Sequence, residues 1–267
     1  MRTPHARINA GWRRSSTTAL AVAAALLLAR AALGDISVAT SGTFTAALLE
    51  LVPQLERVTN DKVVTAATSI GAGADSIPNR LQRGETIDVV IASEAVIEQL
   101  IADGLIVADS RVDLVRSSIG IAVRAGAPKP DISSVDALRQ TLLAAKSIAY
   151  SGSVSGRYVS GELFARLGIA EQMAGKSRRI DRERVGAVVA RGEAEIGFQQ
   201  LSELLPIAGI DIVGPLPAEV QKVSVFSAGV VNASQRQDAA RTLIRFLASP
   251  AAADTVAKTG LEPIGSR

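Results

Sequence analysis

One phrase recurs along the first part of this chain: a short apolar run, a loop of small hydroxyl and glycine residues, then an amphipathic helix. Ile36 to Thr40 reads as a buried strand, Ser41-Gly42-Thr43 as its loop, and Thr45 to Val58 as a helix with Leu48, Leu51, Val52 and Leu55 on one face. Lys62 to Thr68, the loop Ser69-Ile70-Gly71-Ala72-Gly73 and Ser76 to Gln82 repeat it. So do Ile87 to Ala92, Ser93 and the helix Glu94 to Ala102. Strand, helix and strand in that order pack back on themselves through right-handed crossovers into a parallel sheet with helices on its faces. The fold class expected is therefore α/β.

A second body of the same kind is expected further on. Ser117 to Arg124 reads as a strand that carries the chain across into it. Val135 to Lys146 is helical, Ser147 to Tyr150 a strand, Ser151 to Gly156 a long Ser/Gly loop, and Arg157 to Leu167 a helix. Val185 to Arg191, Glu195 to Phe198 and Leu201 to Leu204 read as helix, strand and helix. Gly214-Pro215-Leu216-Pro217 reads as the return crossing, and Val220 to Val231 as a long strand. The amphipathic helix Gln235 to Leu247 ends before Pro250, and a shorter helix follows. The division expected is one lobe of 35–117 plus 220–267 and another of 118–219, each a mostly parallel sheet flanked by helices.

Residues 1–34 read as an export signal. Arg2, Arg7, Arg13 and Arg14 form a basic segment, Thr17 to Ala29 is apolar, and Ala32-Leu33-Gly34 supplies small residues before a cleavage point at Asp35. The location expected is the periplasm, by way of the general or the twin-arginine route. The signal removes five of the 29 basic residues and none of the 26 acidic ones, so a formal charge of +3 becomes −2. A basic stripe for nucleic acid is thus not supported. His5 and Trp12 leave with the signal, and the chain has no cysteine. Disulfides, a Ser-His-Asp triad and a Cys-His pair are excluded, and a zinc site lacks its usual ligands. No metal and no cofactor are expected. No second apolar run is long enough to span a bilayer. A monomer in solution is the expectation.

Several loops could hold a ligand: Ser41-Gly42-Thr43, Ser69 to Gly73, Ser93, and Ser151 to Gly156. In an open α/β sheet such turns line the crevice at the carboxyl ends of the strands. Free N–H groups at helix N-termini suit an anion, and the hydroxyls of Thr43, Ser153 and Ser155 add neutral donors. Arg80 and Arg157, in or just after such loops, are candidate cations for carboxylates. Gln199 and Gln200 follow a buried strand and can donate to oxygen. If the chain is an enzyme, acid–base work falls to oxygen or nitrogen groups other than imidazole, with Tyr158 and Glu94 as candidates. Each feature also has a purely structural explanation in capping, turns, core packing or a solvated surface.

These residues resemble a known family. Ile36 to Thr43 followed by a helix, Asp88-Val89-Val90-Ile91-Ala92-Ser93, and Gly192 to Phe198 are similar to segments of the periplasmic molybdate-binding proteins. The resemblance runs from Asp35 to the end. It implies the two-lobed, type II periplasmic-binding-protein fold, a ligand held between hinged lobes, and an ABC-transporter partner. By this resemblance Thr43, Ser155 and the helix start near Gly186 are placed at the ligand. The second loop reads Gly71-Ala72-Gly73 where the family offers serines, with Ser69 earlier, and Gln199-Gln200 stands where a tyrosine is frequent. These departures favour an organic carboxylate over molybdate. Pro78-Asn79-Arg80 and Gly197-Phe198-Gln199-Gln200 resemble a branch that includes periplasmic aconitate isomerases. That resemblance implies a proton moved between two carbons flanking a double bond in a tricarboxylate. The preferred reading is a binder of a small anion, with the isomerase as the alternative.

Overall fold

The computed structural model describes residues 35–59, 61–69 and 73–265. The expected export signal and Gly71 lie outside them. β1 (Ile36–Ser41) is flanked by β2 (Val63–Ser69) and β3 (Val89–Ser93), both parallel to it. Strands covered on both faces read as continuous apolar runs, and successive residues here do enter opposite cores. Val38, Val89 and Ile91 point to one core, while Ala39, Val90 and Ala92 point to the other. β4 (Val112–Ser117) and β10 (Ser224–Val230) extend the sheet, and the short β11 (Glu262–Pro263) closes its edge. The order is β11-β4-β10-β3-β1-β2.

A second sheet holds β5 (Ile119–Arg124), β6 (Ile148–Ser151), β7 (Ser177–Ile180), β8 (Ile196–Gln200) and β9 (Ile210–Pro215), in the order β7-β6-β8-β5-β9. β6 is parallel to β7 and β8, whereas β5 runs against both β8 and β9. Each sheet thus keeps its strands in one direction except for β5 in one, and β10 with β11 in the other. Ser118 separates β4 from β5, so the stretch expected as one strand from Ser117 to Arg124 is two strands in two sheets. The chain returns between Pro215 and Ser224. The strand expected from Val220 starts only at Ser224, because Ala218–Val220 forms a turn of 3-10 helix. Gln221 ties the two crossings together: its amide oxygen accepts from the Ile119 N–H and its amide nitrogen donates to the Ile119 carbonyl, both at 3.0 Å.

Helices cover both sheets. α1 (Gly42–Thr59) begins at once after β1 and buries Phe44, Leu48, Leu51 and Leu55. α9 (Gln237–Leu247) and α10 (Pro250–Lys258) complete that layer through Leu243, Ile244, Leu247 and Val256. α2 (Ile77–Gln82) and α3 (Glu94–Ala102) cover the opposite face through Leu81, Ile97 and Leu100. On the second sheet, α4 (Val135–Ala144), α5 (Val154–Tyr158, continuing through a π turn to Arg166) and α6 (Ala170–Ala174) pack on one side. α7 (Val185–Ala190) lies on the other, and α8 (Leu201–Leu204) follows β8 and packs on α1. Each buried leucine is worth about 1.5–3 kcal/mol of transfer free energy, so these layers hold the molecule without a disulfide. Among the described residues no helix is long and apolar enough to cross a membrane.

Candidate functional site

Residues at the carboxyl ends of β1, β3, β6 and β8 meet at one cavity of about 690 Å³, its open mouth included. The six-stranded sheet and the helices on it contribute Ser41, Gly42, Thr43, Ser76, Ile77, Pro78, Ala92, Ser93, Val96 and Phe226. The five-stranded sheet and its helices contribute Ser151, Ser153, Val154, Arg157, Gln199 and Glu203. The cavity therefore lies where the two sheets face each other.

One wall is a helix start. α1 opens at Gly42, earlier than the periodicity suggested, so its first-turn N–H groups stand at the end of β1. Ser41 Oγ beside them is a buried atom without a partner among the described residues. The opposite wall carries a cluster of hydroxyls. Ser151 Oγ lies 2.7 Å from Ser153 Oγ and 3.0 Å from Ser155 Oγ, at the start of α5. The turn is so tight that a Cβ on Gly156 would stand 1.6 Å from the Ser151 carbonyl oxygen. Hydroxyls and helix N–H groups on both walls suit a ligand rich in oxygen.

Glu203 is the group that sequence reasoning missed. It is 4 % exposed, on the short helix α8, with its carboxyl at the cavity wall. Gln199 Nε2 donates to Glu203 Oε2 at 2.7 Å, and Thr43 Oγ1 donates to Glu203 Oε1 at 3.1 Å. The amide orientation of Gln199 is set from behind, because its Oε1 accepts from the Val185 N–H at 2.9 Å. Gly42 leaves room for the carboxyl: a Cβ there would stand 2.4 Å from Glu203 Oε2. Burial pushes the Glu203 carboxyl above the ordinary carboxylate range, against the Arg184 charge and the bonds from Thr43 and Gln199. The sequence held one clue, an acid four residues after Gln199, flanked by Leu201 and Leu204. Nothing local said that α8 would be pressed against α1.

Eight of the residues expected at a ligand line the cavity: Ser41, Gly42, Thr43, Ser93, Ser151, Ser153, Arg157 and Gln199. Arg157 is exposed at the mouth, and its guanidinium has no ion-pair partner among the described residues. Ser155 sits behind Ser151. The others are placed elsewhere. Tyr158 is buried in the second core and donates to the Val220 carbonyl at 2.6 Å. One helical step rotates the direction by about 100°, so α5 turns Arg157 to the cavity and Tyr158 to the core. Glu94 pairs with Arg111 at 2.6 Å, and Arg80 with Glu85 at 2.7 Å. Gln200 is buried and accepts from Ser117 Oγ at 2.9 Å, while Gly186 packs on Ile207 and Ile210. Ser69 ends β2 opposite Ser41, its side chain outside the described part.

Comparison with known proteins places this geometry. Residues 36–262 match the family described as bacterial extracellular solute-binding protein. The chain is 47 % identical over 247 residues to an aconitate isomerase of a Pseudomonas species, covering 92 % of this chain and 94 % of that protein. It is 25 % identical over 256 residues to the molybdate-binding protein of Azotobacter vinelandii, covering 92 % and 96 %. The solved structure of the periplasmic molybdate-binding protein of Azotobacter vinelandii superposes with a TM-score of 0.68 at 19 % identity, covering 85 % of this chain and 98 % of that one. The architecture, two mixed sheets with helices on their faces, is that of the two-lobed solute-binding proteins.

Proposed function

Since the chain belongs to the bacterial extracellular solute-binding protein family, we propose that it closes two lobes over aconitate in the periplasm and isomerises it. The lobes would be 35–117 with 220–267 and 118–219, hinged at the two crossings, with 1–34 as the export signal. The observation that carries this reading is Glu203, a buried carboxyl at the wall of an anion-suited cavity. A protein that only binds anions gains nothing from an acid there, because an ionised carboxylate repels the ligand. A carboxyl biased toward its neutral form is tolerated, and its basicity when ionised lies closer to the working pH. The identity to the aconitate isomerase points the same way.

The other groups divide the work. Arg157 pairs with one carboxylate of the ligand, bidentate where the geometry allows. The hydroxyls of Ser151 and Ser153, with the first N–H groups of α5, take a second. Ser41, Ser93 and the start of α1 take a third. Glu203 accepts a proton from the CH₂ group beside the C=C bond. The electron pair spreads over the allyl unit toward the flanking carboxylates, where the cation and the donors stabilise it. The proton returns at the far carbon and the double bond has shifted. Closure of the cleft keeps water away from that carbanion-like state.

The test follows absorbance and proton NMR of cis- and trans-aconitate with the purified mature protein, beside thermal shifts with molybdate, tungstate, citrate and both aconitates. Interconversion approaching one equilibrium from either isomer is expected, with stabilisation by the carboxylates. Stabilisation by molybdate alone would overturn the reading. Tight carboxylate binding without conversion would also overturn it, in favour of a binding protein that delivers its ligand to an ABC transporter.

A further inference from the structure

We propose that the proton reaches Glu203 through the hydroxyl of Thr43, and that Gln199 dictates which carboxyl oxygen takes part. This inference rests on the isomerase reading and deepens it. The two oxygens of Glu203 are not equivalent. Oε2 lies 2.7 Å from Gln199 Nε2, which can only donate. Gln199 cannot flip, because its oxygen accepts from the Val185 N–H at 2.9 Å. A flip would set donor against donor at Val185 and oxygen against oxygen at Glu203. Oε2 therefore stays an acceptor, and the proton of neutral Glu203 sits on Oε1. Gly42 also lies against Oε2, close enough that a Cβ would stand 2.4 Å away, so a ligand has no approach from that side.

Oε1 meets Thr43 Oγ1 at 3.1 Å, and Thr43 lines the cavity. A hydroxyl both donates and accepts, so this bond can run either way. When Glu203 is ionised, Thr43 donates to it. When Glu203 is neutral, Oε1 donates to Thr43 and the threonine's own hydrogen is free to face the ligand. The step balances on these atoms. A ligand C–H bond breaks, its proton passes to Thr43 Oγ1, and the Thr43 proton passes to Glu203 Oε1. The C–H electron pair enters the allyl system. Reversal at the far carbon restores both side chains, with no net oxidation. Thr43 is then a catalytic residue, Glu203 the proton store, and Gln199 a positioning residue.

The experiment measures kcat, KM and pH profiles for Thr43→Val, Thr43→Ser and Gln199→Leu beside the wild type, using trans-aconitate. Thr43→Val is expected to lower kcat by about 10²–10⁴-fold with little change in KM. Thr43→Ser, which keeps the hydroxyl, is expected to restore it to within about tenfold of the wild type. Gln199→Leu removes a donor to the carboxylate, so the acid limb of kcat/KM moves to higher pH. In the wild type, a solvent isotope effect linear in the heavy-water fraction is expected, from the single exchangeable proton of the Thr43 hydroxyl. A primary effect of deuterium placed on the ligand carbon is expected beside it, because both bonds break in one step. That measurement needs no variant to fold. A Thr43→Val kcat within about threefold of the wild type, less than one general acid–base group contributes, would overturn the relay, as would the absence of a solvent isotope effect where the carbon-bound deuterium effect is fully expressed. An unmoved acid limb in Gln199→Leu would overturn the positioning role. A wild type that converts neither isomer would instead overturn the isomerase reading, and the relay with it.

Discussion

Replacing Glu203 by glutamine is expected to stabilise the protein at neutral pH while it stops the reaction. The two side chains have nearly the same volume, so the clearance left by Gly42 still suffices. The new amide can satisfy the same neighbours, with its oxygen accepting from Gln199 Nε2 and its nitrogen donating to Thr43 Oγ1. What changes is charge. In the unfolded chain this carboxyl releases its proton near pH 4.5, whereas in the fold burial raises that value. Between the two values the native state holds a proton that the unfolded state has lost. The slope of unfolding free energy with pH is set by protons bound unfolded minus protons bound folded, so it is negative here. The wild type therefore loses up to about 1.4 kcal/mol per pH unit across that window, then levels off. Glutamine has no such loss.

The stability difference, variant minus wild type, is thus small near pH 4.5 and grows as pH rises until the folded carboxyl has ionised. For a chain of this size each kcal/mol moves the midpoint by about 2–4 °C. Urea and thermal unfolding of both ligand-free proteins, from pH 4.5 to 8.5, would measure it. Carboxylates paired with arginine, such as Asp113 with Arg111, titrate in both proteins and cancel. Parallel curves, or a wild type that gains on the variant as pH rises, would refute the argument. Glu203 would then be an ionised group stabilised in place.

Gly42→Ala puts a Cβ within 2.4 Å of Glu203 Oε2 and 2.9 Å of its carboxyl carbon. A loss of about 1–3 kcal/mol is expected, with a fall in kcat; a variant as active and stable as the wild type would show that the carboxyl position does not matter. Arg157→Ala removes an exposed charge that has no ion-pair partner among the described residues, so stability should change by no more than about 0.5 kcal/mol. Calorimetric titration should nevertheless show aconitate binding weakened by about 10–100-fold, the loss of one charge-assisted contact of about 1.5–3 kcal/mol. Tyr158→Phe strips the bond to the Val220 carbonyl. It should cost about 1–3 kcal/mol and leave kcat unchanged, whereas abolished turnover would return the tyrosine to the chemistry.

The repeated strand–loop–helix phrase made the α/β architecture legible, because β1 and β3 are covered on both faces, so that Val38 and Ile91 on one side and Val90 on the other read as one apolar run. The edge strands were harder. β7, Ser177–Ile180, carries two exposed arginines, and β9 is half-exposed, so neither shows an apolar run. Ser118 does not mark a break by composition; it divides two strands only because each pairs in a different sheet. At the cavity, loops of serine and glycine were readable from their turn chemistry. The orientation of α5 was not, and it separates Arg157 from Tyr158. Glu203 needed the most tertiary information. As sequence it is an acid in a short helix, and it becomes a buried carboxyl only where elements far apart in the chain press together.

The bond between Thr43 and Glu203 joins residues that follow β1 and β8, strands of different sheets. It is therefore a contact between two bodies as well as between two atoms. Parting the sheets would break it and admit water to the carboxyl, whose affinity for a proton would then fall toward that of any exposed acid. In the ligand-free protein, at a pH between the two affinities, opening would tend to release a proton and closing to take one up. Were the sheets to part in this way, the protons bound would gauge the protein's shape, with acid conditions favouring the shut form and alkaline ones the open form.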